Sequence, residues 1–326
     1  MPENNKPRVL KNIANHLLDF ELKETFYYLK FAQKAKLKAD KFLSFFKTNC
    51  KITNNMYDIN NLYKLKGIKR FICNTDVTWC KNGKYGYDRG FLCDFPNMKT
   101  GDNIAYSIDF GSGKLDKKKK KSLKKYAKNF KHISVRNIFR IEEFKEVTDR
   151  DDAVITIDPT FLIDSSDYDK IAKMPDNLKD YVLVYNCQEN DPRIQQKAEE
   201  YAKKNGKKVV VIDCYVKFFS GYKNLNISMQ GIDEFLGLVK NADCVFTNSY
   251  HGICFSIIYK KNFVAFGRKA NPDKINTLLE LFSLYDCMYS EEDELKIHKI
   301  DYDKVYKKLY KYRDEADAFL KTALNK

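Results

Sequence analysis

No stretch of the sequence reaches the roughly 18 consecutive apolar residues of a membrane-spanning helix, so none is expected. The first residues, Met1 to Asn12, are polar and lack the apolar core of a secretory signal. Together these two absences point to the cytoplasm. The nine cysteines contain no C-x-x-C pair, and their number is odd. A disulfide framework or a zinc knuckle is therefore not expected, and the thiols read as mostly buried, reduced, small apolar residues. There is no H-E-x-x-H, no G-x-S-x-G and no EF-hand loop. Gly111-Ser112-Gly113 is a short glycine loop without the P-loop lysine or the full dinucleotide fingerprint. No internal repeat is visible, and no metal site is expected.

What the chain does have is length and charge. Its 326 residues suit two ordinary α/β domains, and a hydrophobic fraction of 44% is that of a globular protein. The net charge is +15. Such a balance fits attraction to phosphorylated substrates or to an anionic membrane face, or simply a lysine-rich proteome. The Lys117–Lys121 run opens a helical stretch, Asp116–Asn129, and reads as a solvated face. No nucleic-acid module accompanies the lysines, so no nucleic-acid partner is expected.

The C-terminal half alternates between strand and helix patterns. Tyr181–Cys187, Lys208–Asp213, Cys244–Thr247 and Asn262–Phe266 are apolar runs typical of buried parallel strands. Between and after them, Arg193–Asn205, Asp233–Asn241, Gly252–Lys261 and Asp273–Leu284 read as helices, the first stopped by Gly206. Such alternation predicts a doubly wound parallel sheet. The N-terminal half is less regular. Leu10–Phe46 reads as mostly helical, Ile68–Cys73, Asn103–Ile108, His132–Val135 and Ala153–Ile157 as strands, and Asn137–Val147 as a helix. The polar segment Asp164–Asp180 marks a domain boundary, and Tyr302–Leu320 is an amphipathic helix. The expected organisation is an N-terminal Rossmann-like domain over 1–165, a C-terminal one over 166–300, and a C-terminal helix over 301–326.

In open parallel sheets ligands bind beyond the carboxyl ends of the strands. Three loops leave such ends in the second half: Asn186–Pro192, Asp213–Gly221 and Thr247–Gly252. The last, Thr247-Asn248-Ser249-Tyr250-His251-Gly252, sets one of only four histidines beside a helix N-terminus, where backbone N–H groups favour anions. A histidine there can act as acid or base. It can equally be a packing residue, with Ser249 or Asn248 capping the helix. Arg136, after a strand, can grip a carboxylate or phosphate, or form a salt bridge. Arg268 and Lys269 follow another strand end as phosphate contacts or as two more basic residues. Asp213 can orient a histidine, bind a sugar hydroxyl or cap a loop. Asp158 before Pro159 most often stabilises a turn. Trp79, with Tyr85, Tyr87 and Phe91 nearby, can stack on a sugar, though core or rim packing is the simpler reading.

Thr247–Gly252 running into Ile253-Cys254-Phe255-Ser256-Ile257-Ile258, and then Lys261-Asn262-Phe263, resembles the signature of polysaccharide pyruvyl transferases, a T-x-S-F/Y-H-G turn entering an apolar helix and then a strand. Phe71–Trp79, Ile104–Gly111, Ile133–Arg136, Asp158–Asp164 and Phe235–Asp243 resemble further segments of that family in the same order, so the likeness runs from about Phe45 to Leu284.

This resemblance implies an α/β fold of two Rossmann-like domains in a GT-B-like arrangement. It also implies a transferase that moves a pyruvyl group from phosphoenolpyruvate to a sugar as a cyclic ketal, releasing phosphate. The acceptor would be a surface polysaccharide or its lipid-linked oligosaccharide precursor, with peripheral contact at the inner membrane face. No cofactor beyond phosphoenolpyruvate as co-substrate is implied. By resemblance His251 is the acid–base residue, and Asp213, from its place at a strand end, joins it in the catalytic set. Arg136, Ser249, Gly252, Arg268 and Lys269 would hold the donor. The chain departs from the family at three points. The glycine-containing first β–α unit is not found, Asn74-Thr75-Asp76 stands where G-S-D is usual, and Ser249 or its neighbour stands where some members have arginine. A GT-B-like glycosyltransferase using a nucleotide sugar and a non-catalytic sugar-binding relative are the alternatives.

Overall fold

In the computed structural model, eight cysteines are free thiols among the described residues, and six of them are buried. Burial pushes the Cys73 thiol up to about 11 and those of Cys93 and Cys287 up to about 12, so they act as small apolar residues. For Cys287 desolvation comes first, and the neighbouring Asp286 carboxylate adds to it. The structure describes residues 22–50, 68, 70–74, 77–81, 86–95, 102–111, 113–175, 178–187, 191–213, 225–226, 230–269, 272–292 and 294–324. The segment 10–21 of the expected N-terminal helix, Thr75, Asp76, Tyr85, Ser112 and most of the loop after Asp213 lie outside these residues.

The chain divides into two compact units, and neither is contiguous in sequence. One joins Tyr57–Asp164 to Gly267–Lys326, and the other joins Met1–Met56 to Ser165–Phe266. The contiguous scheme of 1–165, 166–300 and 301–326 differs from this at both chain ends.

The unit holding Tyr57–Asp164 contains the strands β1 (Ile72–Asn74), β2 (Asn103–Ile108), β3 (Phe130–Val135) and β4 (Val154–Ile155). They form a parallel sheet in the order β1-β2-β3-β4. All six residues of β2 are buried, as expected for a parallel strand covered on both faces. Two of the strands are shorter than the sequence pattern suggests: of Ile68–Cys73 only Ile72 and Cys73 lie in the ladder, and of Ala153–Ile157 only Val154 and Ile155. The first described helix, α1 (Leu22–Asn49), belongs to the other unit, and the basic helix α2 (Lys117–Ala127) to this one. Asp116 caps α2 by accepting a hydrogen bond from the Lys119 N–H.

The helix expected over Asn137–Val147 begins only at Ile141, as α3 (Ile141–Thr148). Asn137 holds the preceding residues in a turn instead: its Oδ1 accepts from the Phe139 N–H and its carbonyl from the Arg140 N–H. Trp79 is a buried core residue, with its ring 5.0 Å from Phe130 and 6.2 Å from Phe144. The C-terminal helix, longer than expected at Tyr302–Leu324, packs on this same unit. Its Phe319 ring lies 6.1 Å from Tyr106, and its Arg313 donates to the Ile163 carbonyl and the Asp164 carboxylate.

The other unit contains the strands β5 (Tyr181–Asn186), β6 (Lys208–Asp213), β7 (Leu225–Asn226), β8 (Cys244–Thr247) and β9 (Asn262–Ala265). They form a second parallel sheet, ordered β7-β6-β5-β8-β9. The short helix α4 (Ser165–Asp169) precedes β5, and α5 (Pro192–Lys204), α6 (Ile232–Asn241) and α7 (Tyr250–Ile258) lie between the strands. Gly206, at φ +63, ends the α5 turn as its position after the helix implies. The chain leaves β5 toward β6 on one side and later returns to place β8 on the other. That reversal is a topological switch point, where the carboxyl ends of parallel strands part to form a crevice.

Gly237, in the middle of α6, shows how tightly this unit packs. A Cβ there would lie 2.1 Å from the Lys173 carbonyl oxygen and 2.5 Å from its carbon. Because the obstacle is backbone, it cannot rotate away. Gly237→Ala is expected to destabilise the fold at the upper end of the ~1–3 kcal/mol typical of overpacking, measured by urea unfolding. An unchanged midpoint would show that the 173 segment moves freely off α6.

Candidate functional site

The switch point is built by residues at the ends of β5, β6 and β8. Register places Asn186 opposite Asp213 and Tyr185 opposite Thr247. Asp213 is thus the last residue of β6 at the carboxyl edge; its side chain lies outside the described atoms. On the other side of β5, the turn after β8 is tied to β5 by side chains. Thr247 is fully buried; its Oγ1 donates to the Tyr185 carbonyl at 2.7 Å and accepts from the Ser249 N–H at 2.9 Å. Asn248, also buried, accepts from the Cys187 N–H at 2.7 Å and donates through Nδ2 to the Asn186 Oδ1 at 3.0 Å. Asn186 in turn donates to the Asp191 carbonyl at 3.3 Å, and Asp191 caps α5.

These bonds explain where α7 begins. Ser249 sits in extended backbone, and its Oγ accepts from the Gly252 N–H at 3.3 Å, the N-cap geometry. The helix therefore starts at Tyr250, two residues before the Gly252 start expected from sequence, and His251 lies inside its first turn. Gly252 is required by space: a Cβ would lie 2.5 Å from Thr247 Oγ1 and 3.0 Å from Tyr185 Cδ1. Ser249 and Gly252 thus hold the turn against β5. His251 is half-buried at its rim, edge-on to the buried Tyr250 ring at 5.3 Å. Of the sequence-derived site residues, the structure brings together Ser249, His251 and Gly252 on one turn, with the Asp213 backbone two strands away on the same edge.

Arg136, Arg268 and Lys269 belong to the other unit. Arg268 is buried and Lys269 is exposed; both follow the residues that leave β9. Arg136 lies at the carboxyl end of β3 and is 2% exposed. Its Nη2 donates to Asp109 at 2.7 Å and its Nη1 to Asp158 at 3.0 Å. Both carboxylates are buried and have further duties. Asp109 Oδ1 accepts from the Gly111 N–H, and Asp158 Oδ1 accepts from the Thr160 N–H and hydroxyl, as a turn-stabilising aspartate does.

One guanidinium is thus shared by two buried carboxylates. Neither Asp109 nor Arg140 carries a motif that marks it in the sequence. Arg140 lies 4.6 Å over the Phe110 ring, donates to Glu143 and bonds the Gly111 carbonyl. The signal that could find Asp109 is position: it is the first charged residue after β2, at the carboxyl edge where parallel sheets place their polar groups.

Arg136→Ala leaves two buried carboxylates without their shared cation. It is expected to cost about 3–5 kcal/mol of stability, read from chemical denaturation in the absence of any ligand. A variant as stable as the parent would show that Asp109 and Asp158 do not depend on Arg136.

Comparison with known proteins sets this geometry beside a family. The polysaccharide pyruvyl transferase family model matches residues 10–270. None of the curated proteins is significantly similar to the chain. Among solved structures, two of the wall teichoic acid polymerase TagF soaked with CDPG are similar in part. The first has a TM-score of 0.36 and 14% identity over 77% of this chain, and the match spans 66% of that protein's chain. The second has a TM-score of 0.33 and 12% identity over 97% of this chain and 92% of the other. The family match covers most of the chain, including the Thr247–Gly252 turn and Arg136, and the chain belongs to the polysaccharide pyruvyl transferase family.

Proposed function

We propose that the protein transfers a pyruvyl group from phosphoenolpyruvate to a pair of sugar hydroxyls, with His251 moving the protons. The observation that carries this reading is the placement of His251, half-buried on the first turn of a side-chain-capped helix, at the switch point of a parallel sheet in a chain of this family. An imidazole is the side-chain type suited to exchange protons near neutrality.

In the first step the donor methylene takes a proton from the imidazolium, leaving the central carbon electron-poor. A sugar hydroxyl oxygen then bonds to that carbon and gives up its proton to the imidazole. A second hydroxyl displaces phosphate from the same carbon, its proton leaving with the phosphate. The products are the ketal and inorganic phosphate, with each proton accounted for. Ser249 and Gly252 act as positioning residues, since they fix the turn that carries the imidazole. Asp213, on the same edge, is assigned to the acceptor hydroxyls or to orienting His251. Arg136 is assigned to holding the edge of its own sheet through Asp109 and Asp158.

The test combines calorimetric titration of phosphoenolpyruvate with phosphate release in the presence of oligosaccharides whose hydroxyl pairs can share one carbon. His251→Gln is expected to bind the donor and to lose about 10²–10⁴-fold in turnover, the usual size of an acid–base contribution. Turnover retained in that variant would remove His251 from the mechanism. Failure of the folded parent chain to bind phosphoenolpyruvate would remove the donor assignment.

A further inference from the structure

The helix α2 concentrates charge of one sign. Seven of its eleven residues are lysine and none is acidic. Leu123 and Ala127 turn inward and anchor it, while Lys117, Lys118, Lys120 and Lys121 face solvent, joined by Lys128 just past its end. Two lysines of the helix are ion-paired to other segments, Lys124 to Asp149 and Lys125 to Asp94. Among the described residues no ion pair reaches the five solvent-facing lysines.

The Lys125–Asp94 pair ties the helix to a second feature, the tight turn Arg89–Asp94. That turn is closed by bonds from the Cys93 N–H to the Gly90 carbonyl and from the Asp94 N–H to the Arg89 carbonyl. Asn129, just beyond α2, donates to the Leu92 carbonyl at 2.8 Å. Leu92 is buried at 1% exposure, but Phe91 beside it is 42% exposed. The turn therefore presents an aromatic ring to solvent while its neighbour is locked into the core.

We infer that α2 and Phe91 form a docking surface for an anionic lipid bilayer. Lysines are flexible point charges suited to a diffuse field of headgroups, whereas recognition of individual phosphates favours the planar fork of arginine, which α2 lacks. A ring held out on a rigid turn adds the apolar contact with the headgroup boundary that a purely electrostatic surface would not need. Nucleic acid is the competing polyanion; the phosphates along its backbone favour the arginine fork, and it serves as the competitor in the test. This inference does not depend on the pyruvyl-transfer reading.

The experiment is co-sedimentation of the full chain with vesicles of phosphatidylcholine alone and of phosphatidylcholine mixed with phosphatidylglycerol, with duplex DNA as a competitor. Binding is expected on the mixed vesicles and not on the neutral ones. It should weaken as salt is raised and the screening length falls from about 10 Å at 0.1 M to about 3 Å at 1 M. Each lysine near the surface is worth about fivefold in partitioning, so the combined variant Lys117→Gln, Lys120→Gln, Lys121→Gln, Lys128→Gln should bind more than tenfold more weakly. These positions are exposed and glutamine keeps the helix, so circular dichroism should match the parent. Phe91→Ser should lose several-fold in binding with no change in the salt dependence. Equal binding to both vesicle types, undiminished binding of the lysine variant, or release from vesicles by DNA at matched phosphate concentration would each overturn the inference.

Discussion

A parallel strand covered on both faces has little room for charged side chains along its length, so polar chemistry collects where the strand ends. That constraint shapes both sheets of this protein. β2 and β8 are buried throughout, and the first polar groups after them, Asp109 and Asn248, are themselves buried and must find partners. The two edges solve this differently. After β8 the groups are neutral, and Thr247 and Asn248 satisfy them by bonding across to β5. After β2 and β3 they are charged, and a single guanidinium serves two carboxylates.

The difference bears on function. Neutral hydrogen bonds hold the Thr247–Gly252 turn to β5, and His251 rides on that fixed support. For the acid–base role proposed for His251 a rigid support matters, because a proton moves only across hydrogen-bond distance. The charged edge is costlier to build, since buried ions offset their desolvation only when every lone pair is used. Here Asp109 and Asp158 each use both oxygens, one on Arg136 and one on local backbone. Such an arrangement locks three loop starts together.

Much of this is legible in the order of residues. The apolar runs of β5, β6 and β8, their alternation with helices, and the Thr247–Gly252 turn point to a parallel sheet with His251 beside a helix start. The N-terminal half is harder to read because its strands are short: β4 has two residues in the ladder, too few for periodicity to register. The start of α3 escapes the sequence pattern because Asn137, whose side chain can bond either helix or turn, bonds a turn.

The sequence by itself determined the fold class, the family and the histidine turn, because these depend on hydrophobic pattern and local turn chemistry, which act over a few residues. Tertiary structure alone decided what the polar residues of the edges do. Which carboxylates Arg136 meets, and whether Asn248 faces outward or bonds across to β5, depends on groups brought near by chain crossings. Asp109 and Arg136 are 27 positions apart and Asn248 and Asn186 are 62, and only the sheet makes them neighbours.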